Sequence, residues 1–289
     1  MDKKILVVAF DGLDRELIEE FDLENIVQKE FGAIDNTTDS RKIYTSELFT
    51  NFITGKNWEE HGVYGLNKWS DKKKGKLVDS LIPENLLEKR RGFHRIRETL
   101  KSALGVRETK YQKEDIPFET LFEKIENSRP IFVPGYNPST FWLIEADLRP
   151  LEFGKTPEET MEHYDTREFR HRKEKLFSEL ENEFVPARDF LMAHFHRSDT
   201  FHHLYGDPQG NYDEEKLREM YTVMDKLAGE IKEKALDKGY DCVVFMSDHG
   251  LPAEIGHNEN AFYSSNKPLF PDSEPKISDF HYRILELVE

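Results

Sequence analysis

The chain has 289 residues, 37% hydrophobic and 12% aromatic, enough apolar material to bury a core and to exclude wholesale disorder. Its 57 acidic residues outweigh 41 basic ones, a formal charge of -16 that repels nucleic acid and anionic membrane surfaces. The single cysteine, Cys242, excludes an internal disulfide framework and any multi-cysteine metal site.

The first apolar run, Ile5–Phe10 (ILVVAF), is too short for a signal peptide and meets Asp11 at once, so it reads as a buried strand. No run approaches the ~18 apolar residues of a membrane span, and the expected location is the cytoplasm. Residues 15–29 open after Asp14 and carry Leu17, Ile18 and Phe21 at helical spacing. Residues 66–130 are highly charged and poor in strand signals. Within them, 83–107 holds Lys89, Arg90, Arg91, Arg95, Arg97, Lys101 and Arg107 against three acids. Leu87, Phe93, Ile96, Leu100 and Leu104 give that segment an amphipathic helical pattern, either a solvated surface helix or a cap that attracts an anion.

A second strand is expected at Ile131–Val133, and exposed helix over 157–183. Phe190–Phe195 (FLMAHF) and Cys242–Met246 (CVVFM) read as two more buried strands. Between them, 213–238 reads as a long helix that opens with Asp213 and two glutamates. It sets Leu217, Met220, Tyr221, Met224, Leu227 and Ile231 on one face. Strands alternating with helices predict an α/β fold with a mainly parallel sheet. The expected organisation is one domain over 1–289 with helical insertions around 66–130 and 150–185.

Three of the four runs are followed closely by an aspartate: Asp11, then Asp199 after His196-Arg197-Ser198, then Asp248 after Ser247. In open α/β sheets the carboxyl ends of the strands carry the ligand site. Three carboxylates converging there would repel one another in a low dielectric, and cations would resolve the conflict. Taken singly, Asp11-Gly12 reads as a turn or helix cap and Asp248-His249-Gly250 as a tight turn. The histidines strengthen the metal reading. Asp199 and His203 are spaced i, i+4 and share a helix face, which points His202 elsewhere. His196 is a nearby rival ligand, and His194, inside a strand, reads as packed. His249 follows Asp248, and His257 follows Gly256 in a polar loop. Three aspartates with three histidines suit a borderline metal, Zn²⁺ before Mn²⁺ or Fe²⁺. Segment 43–65 offers hydroxyls at Thr45, Ser46, Thr50 and Thr54. Metal coordination could turn one into a nucleophile, and a hydroxyl there could equally be a helix N-cap.

AFDGL (9–13), Thr45 with the TG pair ending at Gly55, His61-Gly62, Asp199-x-x-x-His203-x-x-Gly206, Ser247-Asp248-His249-Gly250, and Gly256-His257 followed by Ala261-Phe262-Tyr263-Ser264 occur in that order. This succession resembles the alkaline phosphatase superfamily, in its type I phosphodiesterase/nucleotide pyrophosphatase branch. The resemblance implies an alkaline-phosphatase-like three-layer sandwich and two divalent metal ions, with zinc ahead of manganese or iron. It implies that Asp11, Thr45, Asp248 and His249 hold one metal, that Asp199, His203 and His257 hold the other, and that Thr45 is the nucleophile. Glu47 stands where the family has a proline, and Leu66, followed by Asn67, where nucleotide pyrophosphatases have an asparagine that binds phosphate. The Cys-x-Pro-x-Arg signature of sulfatases is missing. The implied activity is hydrolysis of a small anionic phosphate ester, a phosphodiester first, through a phosphothreonine intermediate; nucleotides are the one nucleic-acid-like substrate expected. A phosphomonoesterase and a phosphoglycerate-mutase-like phosphotransferase are the alternatives within the same chemistry, and a non-catalytic metal- or anion-binding module lies outside it.

Overall fold

Strand β1 (Ile5–Phe10) is apolar throughout and wholly buried. In the computed structural model, which describes residues 3–40, 43–65, 67–82, 92–139, 154–207, 210–253 and 256–289, this strand lies inside the sheet and divides two cores. Side chains alternate along a strand, so Leu6, Val8 and Phe10 join one core and Ile5, Val7 and Ala9 the other.

The elements after β1 are α1 (Arg15–Glu20), β2 (Glu30–Ala33), α2 (Thr45–Thr54), α3 (Trp58–His61), β3 (Lys68–Trp69), α4 (Lys72–Leu81), α5 (Gly92–Leu104) and β4 (Glu108–Thr109). They continue with α6 (Leu121–Lys124), β5 (Ser128–Ile131), α7 (Pro157–Tyr164), α8 (Arg170–Glu181), β6 (Phe190–Phe195) and α9 (Arg197–Tyr205). The last are α10 (Glu214–Lys238), β7 (Cys242–Ser247), β8 (Phe262–Ser265) and α11 (Asp279–Val288). The main sheet has six strands in the order β2-β8-β7-β1-β6-β5. It is mixed and mostly parallel: β1 pairs parallel with β6 and β7, β5 parallel with β6, and β8 antiparallel with both β7 and β2. Helices α8 and α10 pack on one face through Leu176, Leu180, Leu217, Met220 and Met224. Helices α2, α6 and α11 pack on the other through Phe49, Phe52, Leu121, Phe122, Phe280 and Ile284. The α/β class and the mainly parallel sheet are as expected. Among the described residues no helix is long and apolar enough to cross a membrane.

Helix α10 matches its expected span, with the Asp213 carboxylate accepting from Lys216 N at its start and Gly239 at φ 96° after its end. Other expectations needed correction. The helix expected over 15–29 ends at Glu20, because Asp22 is left-handed (φ 53°) and the Asp225 carboxylate takes the N–H groups of Asn25 and Ile26. The strand expected at Ile131–Val133 stops at Ile131, because Phe132 has φ 57° and Val133 N donates to the Asn137 side chain. Residues 157–183 are not simply exposed: α7, a π-helical turn at Asp165–Phe169 and α8 send Met161, Tyr164, Glu168, Arg172 and Leu176 into the interior. The amphipathic segment at 83–107 forms α5 from Gly92, where Arg97 and Lys101 are buried against Glu108. Arg90 and Arg91, with the side chain of Arg95, lie outside the described residues, as does Leu66, which stands in place of an expected phosphate-binding asparagine. The strands β2 and β8 carried no sequence expectation.

Candidate metal and catalytic site

The parallel register builds the site. Phe10 pairs with Phe195, and Ala9 with Met246. One step past those pairs on β6, and two on β7, Asp11 meets His196 and Asp248 at the carboxyl ends of the strands. Helix α9 begins directly after β6, and Asp199 lies in its first turn with His203 one turn further. The α9 start is tied to β1 by Asp199 N and the Ser198 hydroxyl, both donating to the Asp11 carbonyl. A Cβ on Gly12, which has φ 73°, would sit 3.0 Å from the Asp199 Cβ, so the β1–α1 turn leaves room for nothing larger.

Thr45 is the first residue of α2 and Tyr44 is its N-cap, with no side-chain cap bond. The hydroxyl is therefore not spent on capping. It donates to Asp11 Oδ1 at 3.5 Å and lies 3.3 Å from His249 Nε2, at the positive end of the helix dipole. Thr50 and Thr54 donate back to carbonyls one turn earlier, and the Ser46 hydroxyl is buried without a hydrogen-bond partner among the described residues.

Asp11 Oδ1 lies 3.1 Å from His249 Nε2. Asp11 Oδ2 faces His194 Nε2 at 3.1 Å and His196 Nδ1 at 2.5 Å. Asp248 is fully buried, and neither of its carboxylate oxygens has a hydrogen-bond partner among the described residues; His249 Nε2 is 3.6 Å away. Asp199 Oδ1 lies 3.2 Å from His257 Nε2 and 3.4 Å from His203 Nε2, while Asp199 Oδ2 is 3.5 Å from His196 Nε2. His249 and His257 stack with ring centroids 3.8 Å apart.

These contacts set the charges. Burial pushes the Asp11 carboxyl up, but the charge of His196 and the hydrogen bonds from His194, His196 and His249 hold it well below the usual range. Burial, reinforced by the Asp11 charge, pushes Asp248 well above that range. Burial would lower His249, yet Asp248 and Asp11 raise it to about 10. Burial raises Asp199 too, and His203, His257 and His196 outweigh it to leave that carboxyl lowered. Burial lowers His257, with the His249 charge adding to it, and lowers His194 to about 4.

All seven residues singled out by the sequence converge. Asp11, Asp248 and His249 offer ligand atoms within 4.8 Å of one another, and so do Asp199, His249 and His257. His249 thus reaches both groups. His203 lies outside these sets, on the partly exposed rim, 3.4 Å from His257 Nε2. The donor set of carboxylates and imidazoles, with a buried Asp248 whose oxygens are unbonded, fits divalent cations.

Two side chains make contacts around the site that were not anticipated. Asp14, read only as a helix start, accepts from Glu16 N, Leu251 N and the side chains of Asn258 and Asn260, and so ties the loop carrying His257 to β1. His194, read as packed, is fully buried and also bonded to Asp11. Strand alternation was the overlooked signal, since His194 and His196 are two residues apart and so project to one side. His202 is buried against Phe201, Tyr212 and Tyr221, away from these contacts, as its helical phase required. His61 is structural: it bonds Asn51 and accepts from Val63 N.

The model of the type I phosphodiesterase/nucleotide pyrophosphatase family matches residues 5–264. The chain belongs to that family. No protein of curated function matches the chain in sequence. Among solved structures, murine ectonucleotide pyrophosphatase/phosphodiesterase 5 is similar at 12% identity and a TM-score of 0.44, over 86% of this chain and 57% of that one. The alkaline phosphatase of the Antarctic bacterium TAB5 is similar at 12% identity and a TM-score of 0.46, over 99% of this chain and 98% of that one. A mutant of the alkaline phosphatase PafA aligns at 11% identity and a TM-score of 0.49, over 88% and 64%. The chain therefore spans just over half of the murine relative.

Proposed function

We propose that this chain is a metal-dependent phosphoric ester hydrolase that prefers diesters and works through a covalent intermediate on Thr45. Family membership supports the reaction class. The observation that carries the site is the meeting of three strand-end carboxylates, Asp11, Asp199 and Asp248, with His203, His249 and His257 around a hydroxyl that caps nothing. Asp11, Asp248, His249 and Thr45 would hold one divalent cation, and Asp199, His203 and His257 the other, zinc before manganese or iron. When bound, such a pair lowers the pKa of a coordinated hydroxyl and neutralises charge on the transferring phosphoryl group. Thr45 Oγ1, its proton given up to solvent, attacks phosphorus; the P–O bond to the leaving group breaks on the opposite side and that oxygen takes a proton from solvent; water then hydrolyses the phosphothreonine. The dipole of α2 favours the phosphoryl charge beside Thr45. The substrate is a small phosphate ester, nucleotides included.

The test is turnover of bis-p-nitrophenyl phosphate against p-nitrophenyl phosphate, by chelator-treated protein resupplied with zinc, manganese or iron. The expected result is loss on chelation, recovery with metal, and faster turnover of the diester. A faster monoester would make this a phosphomonoesterase. Metal binding without turnover of either compound would leave a non-catalytic module.

A further inference from the structure

Behind Asp11 the interior holds a cation that the proposed reaction does not use. Arg172, on α8, is one of the largest fully buried side chains. Its Nε donates to Glu168 Oε1 at 2.7 Å, and its Nη1 donates to the His194 carbonyl at 2.6 Å. The same Nη1 lies 3.1 Å from His194 Nδ1, and the guanidinium covers the Phe132 ring at 5.1 Å. Glu168 is in turn bonded by the Ser139 hydroxyl. A buried ion pair of this kind is seldom more stabilising than apolar residues of the same volume, so stability alone does not account for it.

The chemistry of the contacts supplies one. Guanidinium nitrogens only donate, so the His194 nitrogen facing Arg172 accepts. A neutral imidazole has a single N–H, which places the His194 proton on Nε2, the nitrogen that faces Asp11 Oδ2 at 3.1 Å. Asp11 Oδ2 is thereby engaged from behind by His194 and His196, and Oδ1 alone is left towards Thr45 and His249.

We propose that Arg172, acting through His194, is a positioning residue: it fixes the imidazole tautomer and with it the rotation of the Asp11 carboxylate, so that Asp11 presents one oxygen to the cation beside Thr45. Asp11, His194 and His196 also gather closely enough to suggest a metal-binding trio. With Arg172 in place, that trio is held by protons, because the one His194 nitrogen facing Asp11 carries the hydrogen. The inference rests on the reading of Asp11 as a metal ligand given above.

Two measurements test it. Long-range ¹H–¹⁵N spectra of the metal-free protein report the tautomer directly, and wild-type His194 should carry its proton on Nε2. Chelator competition with zinc then resolves the affinities of the two sites. His194→Leu and Arg172→Met should weaken one zinc affinity by about 10–100-fold, the usual effect of removing a residue that orients a ligand, and leave the other within about threefold. His194→Gln, which keeps a side-chain N–H donor, should restore most of that loss. A purely structural role would lower the melting temperature and affect both sites alike. An Nδ1–H tautomer in the wild type overturns the proposal, as do unchanged zinc affinities in a folded His194→Leu protein. If Arg172→Met does not fold, the His194 pair and the wild-type spectrum still decide. Wild-type protein that binds no zinc would instead overturn the reading of the whole site, so the two failures are distinct.

Discussion

Replacing Asp248 with asparagine should change the sign of its effect on stability according to whether metal is present. In the metal-free protein this carboxyl is fully buried, has no hydrogen bond to either oxygen among the described residues, and feels the charge of Asp11. Its pKa is raised, so the folded state binds the proton more tightly than the unfolded chain does. The contribution of a raised carboxyl is complete below the unfolded value of about 4 and declines as pH rises above it. Keeping such a group protonated costs about 1.4 kcal/mol per pH unit above that value, and relaxation and water entry reduce the sum. An asparagine of the same shape needs no proton, so metal-free Asp248→Asn should be more stable than the wild type at pH 7.5. For a chain of this size each kcal/mol gained is roughly 2 °C in melting temperature. The raised His249 acts in the same direction: its stabilisation is present below about 6.5 and is lost as pH rises through about 10. Metal-free wild type should therefore lose stability between pH 7 and 10, and the variant should lose less. With saturating zinc the order reverses, because cations require the deprotonated ligands. A hundredfold weaker site forfeits about 2.7 kcal/mol of linked stabilisation. Thermal unfolding followed by circular dichroism, with and without chelator, measures both arms. A lower melting temperature for Asp248→Asn in both conditions would refute the reasoning and make Asp248 an ordinary structural residue.

Three further outcomes are expected. Thr45→Ala should cut kcat by about 10³-fold or more with little change in melting temperature, and Thr45→Ser should keep part of the activity, since serine supplies the same oxygen; a fully active Thr45→Ala would rule out the covalent route. Cys242→Ala should cost about 1–2 kcal/mol on denaturant unfolding while turnover persists, because the thiol is buried in β7 beside Ser265 and burial pushes its pKa up; rapid labelling of the native protein by a thiol reagent would contradict this. Gly250→Ala should weaken zinc binding at the His257 side, since a Cβ there would lie 2.1 Å from Asn258 Oδ1 and 2.3 Å from Asp14 Oδ2. Unaltered binding in a chelator titration would show that the loop adapts.

Much of the site was legible because chemistry and local pattern coincide in it. Asp11, Asp199 and Asp248 stand just beyond apolar runs, and the i, i+4 spacing of Asp199 and His203 needs only a helix to become a pair. The ends of elements were less legible. Nothing local reveals that Asp225 terminates the segment after α1 from two hundred residues away, or that Phe132 turns left-handed. The strands β2 (EFGA) and β8 (FYSS) are only four residues long and broken by Glu30, Gly32 or serines, and their antiparallel pairing is what makes them strands. Arg172 looked like one charge among many in 157–183. Its i, i+4 partner Glu168 is visible in the helical spacing, but the histidine in another strand that it faces is not.

The position of β1 has a consequence for synthesis. Its six apolar residues find their parallel neighbours at Phe190–Phe195 and Cys242–Ser247, so the strand made first is completed by strands made much later. At about 5–20 residues per second, the ribosome leaves β1 without a partner for roughly 10–40 s. Long-range parallel pairing is slow even once the chain is free. During that interval the nascent chain exposes an uninterrupted ILVVAF edge, the kind of segment that associates with other chains. The acidic surplus of the whole chain is a counterweight, since like charge keeps unfinished copies apart. Aggregation during expression should then rise with ionic strength and temperature, before any difference appears in the finished protein.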